Sequence, residues 1–101
     1  MNRLILAPLA LEDLEKIGEY IALDNLAAAQ TFVERLRVRC YALGKNPGIG
    51  HKRDEIRPGL RSLAEGNYLI LYRSHANYVE IVRVVHGKRD LAKVFEKDSD
   101  G

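Results

Sequence analysis

Cysteine is almost missing from this sequence: Cys40 stands alone, so no intramolecular disulfide can form and no zinc-type spacing exists. His51 and His75 fall in loop contexts, at no metal-ligand spacing from each other or from Cys40, so neither metal nor cofactor is expected. No apolar run approaches the roughly 18 residues that a membrane-spanning helix needs. Met1 to Leu6 meets Pro8 before a signal-peptide apolar stretch can develop. A cytoplasmic, reducing location with no membrane contact is the simplest expectation. Internal repeats, low-complexity tracts and linkers are missing too, and 101 residues leave room for one domain, 1–101. A chain of this size can build a core without disulfides or metal, at modest stability.

What is present is an ordinary globular composition, 47% hydrophobic and 30% charged, with a net charge of only +2. The charge is unevenly placed. Residues 1–34 carry two basic and six acidic side chains, whereas residues 35–61 carry eight basic and two acidic. The basic set is Arg35, Arg37, Arg39, Lys45, Lys52, Arg53, Arg57 and Arg61. Such a surface can attract RNA, DNA or an acidic protein; a solvated helix face followed by a charged loop accounts for it equally well.

Residues 2–6 alternate weakly and predict a short strand, ended at Pro8. A helix is predicted from Leu9 to Leu23, with Ala10, Leu14, Ile17, Gly18 and Ile21 on one face. Gly18 would let a second helix approach closely. Asp24 or Asn25 can cap that helix, in which Ala29, Phe32, Val33, Leu36, Cys40 and Leu43 keep helical spacing. Cys40 then reads as a buried core thiol. Gly44 offers a stop and Pro47 prevents continuation, which makes an antiparallel helical hairpin. Lys45 to Pro58 reads as loop. Strands follow at Leu60 to Ala64, Tyr68 to Ser74 and Tyr78 to His86, joined by hairpin-length connections. Tyr68, Ile70 and Tyr72 share a face, and apolar residues on both faces make this strand central. Val79, Ile81, Arg83 and Val85 are expected to share a face of the last strand. Asp90 to Glu96 predicts a short terminal helix with Asp90 as its cap, and Lys97 to Gly101 a frayed end. The order β-α-α-β-β-β implies an α+β domain: a helical hairpin packed on a mostly antiparallel sheet, the other face partly open.

This order, and the passages Gly59-Leu60-Arg61-Ser62, Asn67-Tyr68-Leu69-Ile70-Leu71-Tyr72-Arg73 and Val79 through Asp90, resemble the RelE/ParE toxin superfamily. Asp13-Leu14, Ile17, Tyr20-Ile21 and Asn46-Pro47-Gly48-Ile49-Gly50 resemble its ParE branch. The resemblance implies the toxin of a type II toxin–antitoxin system, of the kind associated with plasmid stabilisation. It also implies a cognate ParD-like antitoxin in a hetero-oligomer. For the ParE branch it implies a non-enzymatic inhibitor of DNA gyrase; for the RelE branch, a ribosome-dependent endonuclease that cuts messenger RNA.

Chemistry separates the two. Cutting RNA through its own 2′-hydroxyl needs a base, an acid and fixed positive charge for the phosphorane. Arg61 and Arg83 can supply charge, His86 can transfer a proton, and Lys52 and Arg53 can hold the backbone. Many RelE-type enzymes carry a tyrosine after the Gly-Lys-Arg stretch, and Phe95 stands nearest by spacing. It cannot transfer a proton. Gyrase inhibition is therefore the first expectation, with Arg61, Arg83, His86, Lys88, Arg89 and Lys93 as target contacts. The alternative is the nuclease, acting on the ribosome and mRNA through Arg61, Arg83 and His86. Plain structural roles stand beside both: His86 bonding a loop carbonyl, and Arg83 paired with Glu80 or Asp90. Ala27, Val38 and Ala42 lie opposite the core stripe of the second helix and are expected to face the antitoxin, or else are scattered surface apolars.

Overall fold

A computed structural model describes the backbone of residues 3–99, with side chains through Glu96. Its elements are β1 (Arg3–Leu6), α1 (Pro8–Ala22), α2 (Leu26–Lys45), a 3-10 turn (Pro47–Ile49), β2 (His51–Lys52), β3 (Leu60–Glu65), β4 (Tyr68–Ser74), β5 (Tyr78–His86) and α3 (Leu91–Ser99). The sheet has five strands in the order β1-β5-β4-β3-β2. β1 runs parallel to β5 and every other pair is antiparallel. The expected α+β architecture holds, and β4 is the central strand.

Several boundaries move, each for a local reason. Pro8 begins α1 as well as ending β1, because its missing N–H falls where a helix has no acceptor for one. Asn25, not Asp24, caps α2: its Oδ1 accepts the Ala28 N–H at 3.0 Å. Gly44 does not stop α2. It is buried on the inner face, and the helix runs through Lys45 until the Pro47 ring intervenes. Within the stretch expected to be loop, His51 and Lys52 form a two-residue edge strand against Ser62 and Arg61. α3 runs on to Ser99 past the expected fraying point. Asn2, Asp100 and Gly101, which also carried expectations, lie outside the described residues.

The hairpin closes where Gly18 allows it, since a Cβ there would sit 3.3 Å from Val33 Cγ2. Its inner face buries Ala10, Leu14, Ile17, Leu36, Cys40 and Leu43 against Leu63, Ile70, Tyr72, Val79, Ile81 and Val84 of the sheet. Each fully buried aliphatic side chain contributes about 1.5–3 kcal/mol. The second sheet face is covered more than expected, by Val94 and Phe95 of α3 packed on Leu60, Leu71 and Val85.

The predicted shared face of Val79, Ile81, Arg83 and Val85 does not hold. Ile81 pairs with Tyr72 and Arg83 with Leu71, so Val82 is an extra residue in β5. This bulge reverses the alternation: Val79, Ile81 and Val84 face the hairpin, and Val85 faces α3.

Candidate functional site

The expected functional side chains separate into those held inside the fold and those presented outward. Arg83 is the most firmly held. Its Nε lies 2.8 Å from Asp13 Oδ2 and a terminal nitrogen 3.0 Å from Oδ1, a two-pronged pair with 12% of each side chain exposed. Asp13 Oδ2 also accepts the Val84 N–H at 2.9 Å, so one carboxylate ties α1 to β5 through three bonds. Arg83 thus pairs with neither Glu80 nor Asp90. Glu80 meets His75 Nε2 at 3.0 Å, and Asp90 accepts the Ala92 N–H at the start of α3.

Arg61 belongs to a second network. It donates to the Gly50 carbonyl at 2.9 Å. The hydroxyl of Tyr72 accepts the Gly50 N–H and donates to the Pro47 carbonyl, both at 2.8 Å. Burial pushes the Tyr72 phenol pKa up, while the bond from Gly50 and the Arg61 charge pull it down. Gly50 fits only as glycine, because a Cβ there would lie 2.6 Å from the Ser62 carbonyl oxygen. The Asn46–Gly50 passage is therefore moulded around the Tyr72 side chain.

His86 closes β5 at the opposite end of the sheet. Its Nδ1 accepts the Lys88 N–H at 3.1 Å, which leaves Nε2 as the protonated nitrogen. The expected loop contact is thus made, but to an amide rather than a carbonyl. The ring meets Tyr68 edge-on, with centroids 5.3 Å apart. Arg61 is level with Tyr72 and His86 with Tyr68, on opposite sides of β4. That separates them by about 13 Å along the strand and about 10 Å across it. Phe95 is buried in the second core, beneath the Arg57 guanidinium at 4.9 Å. Arg61, Arg83 and His86 do not converge on one point.

Lys88, Arg89 and Lys93 are exposed around the β5–α3 turn, beside half-buried His86. Ala27 and Val38 are exposed on α2, and Ala42 is half-buried at the same face. Among the described residues no cluster of His, Cys, Asp or Glu could hold a metal ion, and no helix is long and apolar enough to cross a membrane.

Sequence reasoning missed Asp13 and Tyr72 as organising residues. Asp13 carried a signal, being a carboxylate on the margin of the stripe formed by Ala10, Leu14 and Ile17. Tyr72 carried none, since one buried hydroxyl among apolar neighbours looks like any core tyrosine.

Comparison with known proteins agrees with this geometry. A family model described as the ParE toxin of the type II toxin–antitoxin system parDE matches residues 4–91. Toxin ParE1 of Mycobacterium tuberculosis (strain H37Rv) is 32% identical over 93 residues, covering 89% of this chain and 94% of that protein. Toxin ParE3 of Caulobacter vibrioides is 28% identical over 93 residues, covering 91% and 93%. A solved chromosomal ParDE system from P. aeruginosa superposes with a TM-score of 0.73 at 22% identity, over 85% of this chain and 96% of that one. The chain belongs to the ParE family of type II toxin–antitoxin toxins.

Proposed function

We propose that this toxin inhibits DNA gyrase without chemistry of its own and so blocks replication. The observation that carries this reading is the scattering of the nuclease candidates. Arg83 is neutralised by Asp13 and Arg61 is engaged with Gly50. His86 stands roughly 16 Å from Arg61 by strand geometry. General acid–base chemistry on a phosphodiester needs such groups within hydrogen-bond reach of the same atoms. The target contact is carried by half-buried His86 and the exposed Lys88, Arg89 and Lys93, with Arg61 and Arg83 shaping the sheet behind it.

Brief induction without antitoxin, followed by parallel mapping of gyrase-linked DNA breaks and messenger-RNA ends, tests the reading. DNA breaks with intact messages are expected. Discrete message cuts that vanish in His86→Ala would overturn it in favour of the ribosome-dependent nuclease.

A cognate ParD-like antitoxin in a hetero-oligomer is part of the same proposal, docking on the α2 face that carries Ala27, Val38 and Ala42. Val38 is 57% exposed at the centre of this face, with exposed Tyr41 nearby on the same helix, which leaves apolar surface for a partner to cover. Val38→Asp should weaken antitoxin affinity at least tenfold while leaving the melting temperature unchanged; equal affinity would remove this face from the interface.

A further inference from the structure

Where the hairpin tip overhangs the β3–β4 turn, a cleft of about 1080 Å³ opens, lined by residues of α1, α2, the turn and the end of β5. Its inner wall is aromatic. Phe32 meets Tyr68 with ring centroids 5.5 Å apart at 50°, and Tyr68 meets His86 at 5.3 Å and 70°. No two of these rings are stacked face to face. The Arg35 guanidinium lies 5.9 Å from the Phe32 centroid at the same wall. Arg35 and Arg39 share a single carboxylate, Glu65, at 3.0 and 3.1 Å, so this rim keeps a net positive charge. The Arg39 approach also lacks hydrogen-bond alignment, leaving its Nε without a bonded partner. A smaller hollow of about 220 Å³ also borders the Tyr68–His86 pair and is lined by Lys88. The Asn67 side chain, which borders both hollows, makes no hydrogen bond within the described residues.

We propose that this cleft binds single-stranded nucleic acid, with a base against the Phe32–Tyr68–His86 wall and neighbouring phosphates on Arg35 and Lys88. Aromatic platforms between cations accept any base, because every base offers a π-face, and the phosphates supply the salt dependence. Asn67 offers both a donor and an acceptor to a base edge. The volume exceeds the about 300–1,000 Å³ of ordinary small-molecule sites, which suits more than one nucleotide. An extended peptide is the competing occupant, because β1 pairs with β5 only as far as Ile81 and β2 with β3 only at Arg61 and Ser62, which leaves backbone edges near the cleft. The excess of positive charge, Arg35, Arg39 and Lys88 against Glu65, favours the polyanion. The inference goes beyond gyrase inhibition and does not depend on it.

The test is fluorescence anisotropy of labelled oligothymidylate, oligouridylate and a mixed-sequence duplex, titrated with the intact chain at low salt. Saturable binding of either single strand, tighter than the duplex and falling as salt rises, is expected; the two oligomers tell DNA from RNA as the source. Tyr68→Leu, which keeps apolar volume against the core but removes the ring, should weaken binding about tenfold. Tyr68→Phe should bind as the parent does. Lys88→Glu, at an exposed turn where folding is not at risk, should also weaken binding about tenfold. Absence of saturable binding would overturn the proposal, as would equal affinity for duplex or affinities unchanged in Tyr68→Leu and Lys88→Glu. Capture of a glutamate-rich peptide in place of both oligomers would overturn it too, assigning the cleft to a protein.

Discussion

At the residue scale, stability concentrates in a few polar groups that the apolar core encloses. Asp13 is one. Replacing it with alanine removes the two-pronged carboxylate from Arg83 and leaves the Val84 N–H without its acceptor, a loss of about 3 kcal/mol readable by urea denaturation. Asp13→Asn should recover only part of this, since a neutral amide cannot match a guanidinium. Tyr72→Phe leaves the Gly50 N–H and the Pro47 carbonyl without their partner and should cost about 1–3 kcal/mol. Cys40 gives a pH signature. Burial pushes its thiol from an ordinary value near 9 up to about 11. The unfolded chain therefore loses this proton first as pH rises. Stability should fall between about pH 9 and 11, with Tyr72 adding in the same direction at the upper end. In Cys40→Ala the decline attributable to the thiol should disappear, while alkylation of native Cys40 at neutral pH should stay negligible until the chain is unfolded.

At the element scale, caps and close approaches decide where helices start and how they pack. Asn25→Ala removes the side-chain N-cap of α2 and should lower stability by about 1 kcal/mol. The hairpin was legible in the sequence because two amphipathic stripes, one interrupted by Gly18, stood on either side of a capping residue. β2 was not. His51 and Lys52 have no alternation of their own, and only the antiparallel approach of Ser62 and Arg61 makes them a strand. The bulge at Val82 was hidden for a related reason: an unbroken run of β-branched residues fits either register, and pairing with β4 chooses between them.

At the scale of the whole molecule, α3 acts as a lid on the second sheet face. Phe95 contributes its ring to that core and its carbonyl to Arg57, which donates to it at 2.9 Å. Phe95→Ala should therefore destabilise by about 3–5 kcal/mol and expose Leu60, Leu71 and Val85, a change that dye binding to apolar surface would report. Wild-type-like melting would show instead that the α3 contact adds little. The distribution of charge also resolves at this scale. Of the basic cluster at residues 35–61, Arg35 and Arg39 lean on Glu65, Arg53 bonds Ser62 and Glu55, Arg57 holds α3, and Arg61 holds the Gly50 loop. The cluster thus divides into residues that also fasten the fold and the exposed Arg37, Lys45 and Lys52, which face outward. The outward charge at the end of β5 comes from Lys88, Arg89 and Lys93.

Periodicity, capping residues and glycine and proline placement determined from sequence the order of the helices and of every strand but β2, the helical hairpin, the central place of β4 and the burial of Cys40. These depend on residues near one another in the chain, where spacing carries the physics. Tertiary structure alone decided which charges meet. The carboxylate that Arg83 grips lies 70 residues away, and sequence spacing favoured Glu80 and Asp90 over Asp13. It also decided that Arg61 and His86 stand apart, and that Phe32, Tyr68 and His86 form one wall from three elements. A site is a meeting of side chains across elements, and that meeting depends on strand register and helix docking, which no local pattern encodes.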